Sequence, residues 1–354
     1  MTPLSSFPDA AASSTRRVWL KRFLAASMTL AAAPPGQAAF EWKIVTRDGR
    51  DHVTLRDIQR FYSFPRLQRD GRNAWLKSAT MVVKISVNAE DIYINNVKFC
   101  LCFPTFEQGG DILISRMDLA KLLDPIIRPT KIGNTVNFDT VVLDAGHGGH
   151  DSGAVGRFGA EKVYTLDTVF RLQKALQAQG LKTLLTRSTD VFLSLGQRVA
   201  IANGTPRSIF VSVHFNSYSS SAIGLETFAL APQGTANSYD DLKESDFRNR
   251  RGNARDSENI ALATAVHANA LYKLRSVDRG VKRDRFSVIS GIEKPGILVE
   301  GGFVSNALEG ARIHRPEFRQ SLADAIAGGI RNYRSAILRR NAASGTGTGT
   351  TLSG

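Results

Sequence analysis

The chain has 354 residues, 42% of them hydrophobic, and a formal net charge of +14. That length leaves room for two domains with tails, and no window is apolar enough for a transmembrane segment. With only two cysteines, Cys100 and Cys102, the fold does not rest on disulfides, and both read as small apolar core residues.

The charge favours a polyanionic partner. No nucleic-acid recognition motif is present, and an anionic cell wall fits equally well. Residues 1–39 read as a signal peptide: Arg16-Arg17-Val18-Trp19-Leu20-Lys21, a short apolar run Phe23–Ala33, then small residues from Gly36 to Ala39. The arginine pair resembles a twin-arginine export motif, with Trp19 where Phe is usual. An exported protein of the periplasm or cell envelope is expected.

Residues 40–128 predict a small α+β accessory domain. Thr54 caps a short helix that runs to Phe61. Apolar or alternating runs follow at Thr80–Val87, Ile92–Ile94, Val97–Phe103 and Ile112–Ser115, and Arg116–Leu123 reads as a helix. This order resembles the copper amine oxidase N-terminal-like module, without implying copper. Pro and Gly between Asp124 and Thr135 mark the boundary, with a linker over 129–139.

From Thr140 to residue 338 strands and helices alternate, which predicts an α/β domain: a twisted, mostly parallel sheet flanked by helices. The strands are Thr140–Leu143, Leu181–Thr186, Ile209–Val213, Leu225–Leu230 and Ile297–Val299. The helices are Lys162–Gln179, Gly196–Asn203, Ser257–Leu274 and Pro316–Arg334. Residues 231–256 form a long polar connection, and 339–354 a Gly/Thr/Ser-rich tail expected to be disordered.

Three of the buried strands run into polar residues that can bind or transfer protons. The first leads to Asp144-Ala145-Gly146-His147-Gly148-Gly149, the third to His214 and the last to Glu300. Ligand sites of open α/β sheets gather at carboxyl ends of strands, so parallel neighbours would bring these groups to one rim, where Glu161 also opens a helix. Two imidazoles and a carboxylate suit Zn²⁺ with one position open, and a second carboxylate outside the metal shell can serve as acid and base. Asp144 can orient His147 through its other ring nitrogen, or cap the loop. Arg187 and Arg198 can grip an anionic peptide or pair with Asp190. Asn216 is a further substrate candidate. The Gly-rich run 146–159 lacks the G-x-G-x-x-G spacing of a dinucleotide site.

Val141-Val142-Leu143-Asp144-Ala145-Gly146-His147-Gly148-Gly149, Glu161-Lys162, Ser212-Val213-His214-Phe215-Asn216 and Ile297-Leu298-Val299-Glu300-Gly301-Gly302-Phe303 together resemble the zinc-dependent N-acetylmuramoyl-L-alanine amidases of the LytC and cell-division type. The resemblance covers Thr140 to Arg334. It implies His147, Glu161 and His214 as zinc ligands and Glu300 as catalytic acid/base. The implied activity is hydrolysis, by a zinc-bound water, of the amide between N-acetylmuramic acid and L-alanine in peptidoglycan. Some relatives carry a regulatory segment at the position of 231–256, which a protein partner displaces. Asp240, Asp241 and Glu244 are the carboxylates such a segment would use, and a substrate-groove wall is the other reading. The rival functions are another zinc peptidoglycan peptidase and a catalytically silent wall-binding or regulatory protein.

Overall fold

The computed structural model describes residues 40–345, with side chains to residue 339. The signal peptide expected over 1–39 and the last residues of the expected tail lie outside them. The chain begins with a hairpin, β1 (Ile44–Arg47) and β2 (Arg50–Thr54), and a helix, α1 (Leu55–Phe61). Thr54 caps α1 as predicted, its hydroxyl accepting from the Asp57 amide. An antiparallel meander follows: β3 (Arg66–Asp70), β4 (Asn73–Lys77), β5 (Val82–Ser86), β6 (Asp91–Ile94) and β7 (Val97–Cys100). β8 (Phe106–Gln108) and β9 (Asp111–Ser115) join the first hairpin in a separate sheet ordered β1-β2-β9-β8. The first four strands are not anticipated by sequence, because Arg-Leu-Gln-Arg-Asp in β3 and its neighbours show too few apolar positions to read as a half-buried strand.

The α/β part has the expected architecture. β10 (Thr140–Ala145), β13 (Lys182–Leu185), β14 (Ser208–Asn216) and β17 (Gly296–Phe303) are parallel, in the order β13-β10-β14-β17. A small hairpin, β11 (Val155–Gly156) and β12 (Gly159–Ala160), sits in the loop after β10. β15 (Leu225–Leu230) is antiparallel to β17, and β16 (Asp278–Asp284) is parallel to β15. β10, β14 and β17 are covered on both faces, which explains their unbroken apolar runs. On one face lie α2 (Glu161–Gln177), α4 (Asp256–Leu274) and α7 (Pro316–Gly345), preceded by α6 (Ala307–His314). On the other, α3 (Leu195–Gly204) and α5 (Ser287–Gly291) cover Val142, Phe210 and Leu298. No helix among the described residues is long and apolar enough to cross a membrane.

β16 also pairs with β7, Val281 opposite Phe99, so the meander extends the α/β sheet to eleven strands. One buried core runs from Val53 through Phe99 to Ile337. The connecting residues 129–139 pack into it: Phe138 stacks on Tyr333 and the Val136 amide donates to Glu258. α7 continues past the expected stop at Arg334, because residues 335–344 contain good helix formers and neither Gly nor Pro. The tail expected from residue 339 therefore begins as helix.

Candidate active site

β10, β14 and β17 are parallel neighbours, as a shared rim requires. β14 and β17 run beyond their apolar stretches, so His214 and Glu300 lie within strands rather than past their ends, directly opposite one another. His147 sits in the loop after β10 with φ of 62°, a left-handed conformation rare for a side-chain-bearing residue. Backbone strain of this kind persists only where the surroundings enforce it. Here Arg198 Nη2 donates to the His147 carbonyl at 2.8 Å, and Arg187 Nη2 donates to the Gly146 carbonyl at 2.9 Å.

The three expected ligands come together. Glu161 Oε2 is 3.1 Å from His147 Nε2, and Glu161 Oε1 is 2.9 Å from His214 Nδ1. The two rings stand edge to face at 5.0 Å. One donor atom from each residue falls within 4.8 Å of the others, a group that can hold a metal ion. Glu161 starts α2 and is fixed by the amides of Phe215 at 3.0 Å and Ala154 at 2.9 Å. Glycine is required at two places by close approach. A Cβ on Gly146 would lie 2.2 Å from the His214 ring, and one on Gly153 would lie 2.5 Å from His147 and 2.6 Å from Glu161. The donor set and this clearance both fit a divalent cation.

Burial acts to raise the Glu161 pKa, yet His147 and then His214 hold the carboxyl well below its usual range. Glu300 is the opposite case. Burial, reinforced by the Glu161 and Glu226 carboxylates, pushes its pKa well up, and its Oε2 has no hydrogen-bond partner. The two carboxylates, Glu161 on a helix and Glu300 on β17, are thus driven in opposite directions by their surroundings.

Several expectations need correction. Asp144 does not orient His147. Its oxygens take Thr186 Oγ1, Ser212 Oγ and Arg198 Nη1, each at 2.7 Å, beneath the loop. The orienting carboxylate is Asp151, 2.9 Å from His147 Nδ1, recognisable only as an acid four residues on. Asp151→Ala is expected to weaken metal affinity about 10- to 100-fold, as losses of such partners do. Competition with a graded chelator checks this, and an unchanged midpoint would remove Asp151 from the site.

Arg187 and Arg198 do not face a substrate either. Both are buried, and their donors serve the carbonyls of residues 145–147 along with Asp144. Asp190 pairs instead with Lys162. Arg198→Ala strands the Asp144 carboxylate and is expected to cost about 3–5 kcal/mol, as breaking a buried pair does. Denaturant unfolding measures it, and a loss under about 1 kcal/mol would mean that the pair is not holding the loop. Asn216 Nδ2 donates to Glu226 at 2.9 Å.

No carboxylate of the segment 231–256 belongs to the metal group, while Tyr239 within it places its ring 5.4 Å from Lys282 Nζ, beside Glu226. Because β15 is antiparallel to β17, with Glu226 opposite Glu300 and Phe228 opposite Leu298, its carboxyl end points away from His214. Arg285 anchors the segment there through the Pro232 carbonyl, the Thr235 carbonyl and Asp246. Asp240 pairs with Lys243, and Arg251 with Glu293.

Comparison with known proteins covers the same region. Uncharacterized protein YqiI of Bacillus subtilis is 36% identical over 194 residues, 55% of this chain and 84% of that protein. LytC, an N-acetylmuramoyl-L-alanine amidase of the same organism, is 32% identical over 57% of this chain. The match spans only 37% of LytC's own length. AmiA, an N-acetylmuramoyl-L-alanine amidase of Escherichia coli, is 30% identical over 54% of this chain and 75% of its own length. The family model described as N-acetylmuramoyl-L-alanine amidase matches residues 141–332, which take in His147, Glu161, His214 and Glu300. Its match covers more than half of the sequence, and the chain belongs to the N-acetylmuramoyl-L-alanine amidase family.

Proposed function

We propose that this chain hydrolyses the amide between N-acetylmuramic acid and L-alanine in peptidoglycan, with zinc held by His147, Glu161 and His214 and with Glu300 as acid and base. The observation that carries this reading is the buried, unpartnered Oε2 of Glu300, one strand from the His-Glu-His group. When bound, zinc supplies a Lewis acid that acidifies water and polarises a carbonyl. His147, Glu161 and His214 would hold it, with Asp151 fixing the first ring. Glu300 accepts the proton of the attacking water and passes it to the alanine nitrogen as the C–N bond breaks. Its burial suits it to holding that proton between the two steps.

Mass spectrometry of digested peptidoglycan tests the reading. Stem peptides with a free L-alanine amine, beside intact glycan, are expected. Cleavage within the stems would favour a peptidase instead, and no cleavage by metal-loaded protein would favour a silent wall-binding role. We further infer that residues 1–39 direct the chain to the periplasm or cell envelope, where this substrate lies, and that residues 40–128 contact the wall through their basic surface. Fractionation of cells making the intact chain and a variant with Arg16 and Arg17 changed to Lys checks the export route. Unchanged export of the variant would rule out twin-arginine transport.

A further inference from the structure

On the side of Glu300 away from the metal ligands lies a second charged cluster. Glu226 faces Glu300 directly across the β15–β17 pair, so the two side chains share one face of the sheet. Two cations from β16 converge on a single oxygen of Glu226: Arg279 Nε at 2.5 Å and Lys282 Nζ at 2.7 Å. The other Glu226 oxygen takes Asn216 Nδ2. The Arg279 guanidinium lies 4.9 Å from the Phe303 ring, and its terminal amines carry no hydrogen bond to any described residue. The neighbouring acid, Glu309, is committed to the amides of Gly224 at 3.0 Å and Phe303 at 2.9 Å. The Arg279 and Lys282 side chains, 32% and 12% exposed, thus meet on one oxygen of Glu226 with donors left over on Arg279, and a partly buried position favours a directed, charge-assisted hydrogen bond.

We propose that Arg279 and Lys282 form a carboxylate seat that recognises the α-carboxylate of the second stem residue, a γ-linked D-glutamate. The assignment rests on the amidase reading above. Reach selects this carboxylate. With the alanine nitrogen at Glu300, the glutamate α-carboxylate is one residue further, about 6–7 Å along the chain. β15 lies about 5 Å from β17, and the β16 cations reach back to Glu226. Carboxylates beyond the glutamate side chain would overshoot. Glu226 then has a positioning role, aiming both cations while Asn216 fixes its own rotamer.

The test compares N-acetylmuramoyl-L-alanyl-D-glutamic acid γ-amide, whose γ-carboxyl is blocked as it is in the stem, with the corresponding α,γ-diamide, so that only the charge of the α-carboxylate differs. A charge-assisted contact of this kind predicts a kcat/KM preference of about tenfold or more for the acid. In Arg279→Gln the ratio is expected to fall to about one, and Arg279→Lys is expected to restore part of it. Calorimetry with the zinc-loaded protein and the dipeptides L-alanyl-D-glutamic acid γ-amide and its α,γ-diamide should show the same preference, lost in Arg279→Gln. No preference in the wild type, or a variant that weakens both substrates while keeping their ratio, overturns the seat. Tighter binding of the acid without cleavage of either substrate would keep the seat and refute the amidase reading.

Discussion

Glu300→Gln is expected to lower peptidoglycan hydrolysis by about 10²–10⁴-fold, the usual contribution of a general acid–base group, with metal content unchanged. Glu300 is paired with His214 in register yet is not among the three groups whose donor atoms converge. Glutamine keeps the shape and removes only the capacity to take up and return a proton. The burial that raises the pKa of Glu300 also means that the neutral amide adds no desolvation cost, so the variant should fold. Dye-release or muropeptide assays on metal-replete protein measure the loss. Activity within a few-fold of wild type would assign Glu300 another task.

His147→Ala and His214→Ala are expected to abolish both metal retention and hydrolysis. A catalytic zinc site of three protein ligands cannot spare one, and Glu161 bridges the two imidazoles with one oxygen toward each. Each substitution also leaves a Glu161 oxygen without its ring partner, which raises the cost of keeping that buried carboxylate ionised. Elemental analysis after dialysis should find about one zinc per chain in the wild type and almost none in either variant. Full occupancy in both variants would eliminate this ligand set.

His147, His214 and Glu300 are legible because they interrupt a pattern, whereas Glu161 as the third ligand is what the family resemblance implies. Three strands buried on both faces admit few polar residues, so His147, His214 and Glu300 stood out where the apolar runs stopped. What surrounds them was illegible for the converse reason. β16 reads Asp-Arg-Gly-Val-Lys-Arg-Asp, five charges in seven residues, and resembles a loop until its partners are known. Arg187 and Arg198 read as substrate grips or as partners of Asp190 because guanidinium groups are normally solvated or paired. They are buried because the tight loop around His147 leaves carbonyls that only a multi-donor side chain can satisfy. Likewise the direction of β15, and hence the placement of 231–256, depends on pairing that its apolar run does not encode.

The pairing of β16 with β7 bears on how this chain could have been assembled and how it can be taken apart. A sheet has two edges, and here the outer ones are β13 and the basic β3. Cutting the chain before Thr140 would move the second edge from β3 to β16, whose unpaired amides and carbonyls would invite a strand from another molecule. The amidase half of this protein is therefore not a freely exchangeable cassette. A different N-terminal module could replace the present one only by offering a strand that meets Val281 where Phe99 now does, with a group to take the place of the Lys98 amide on Asp278.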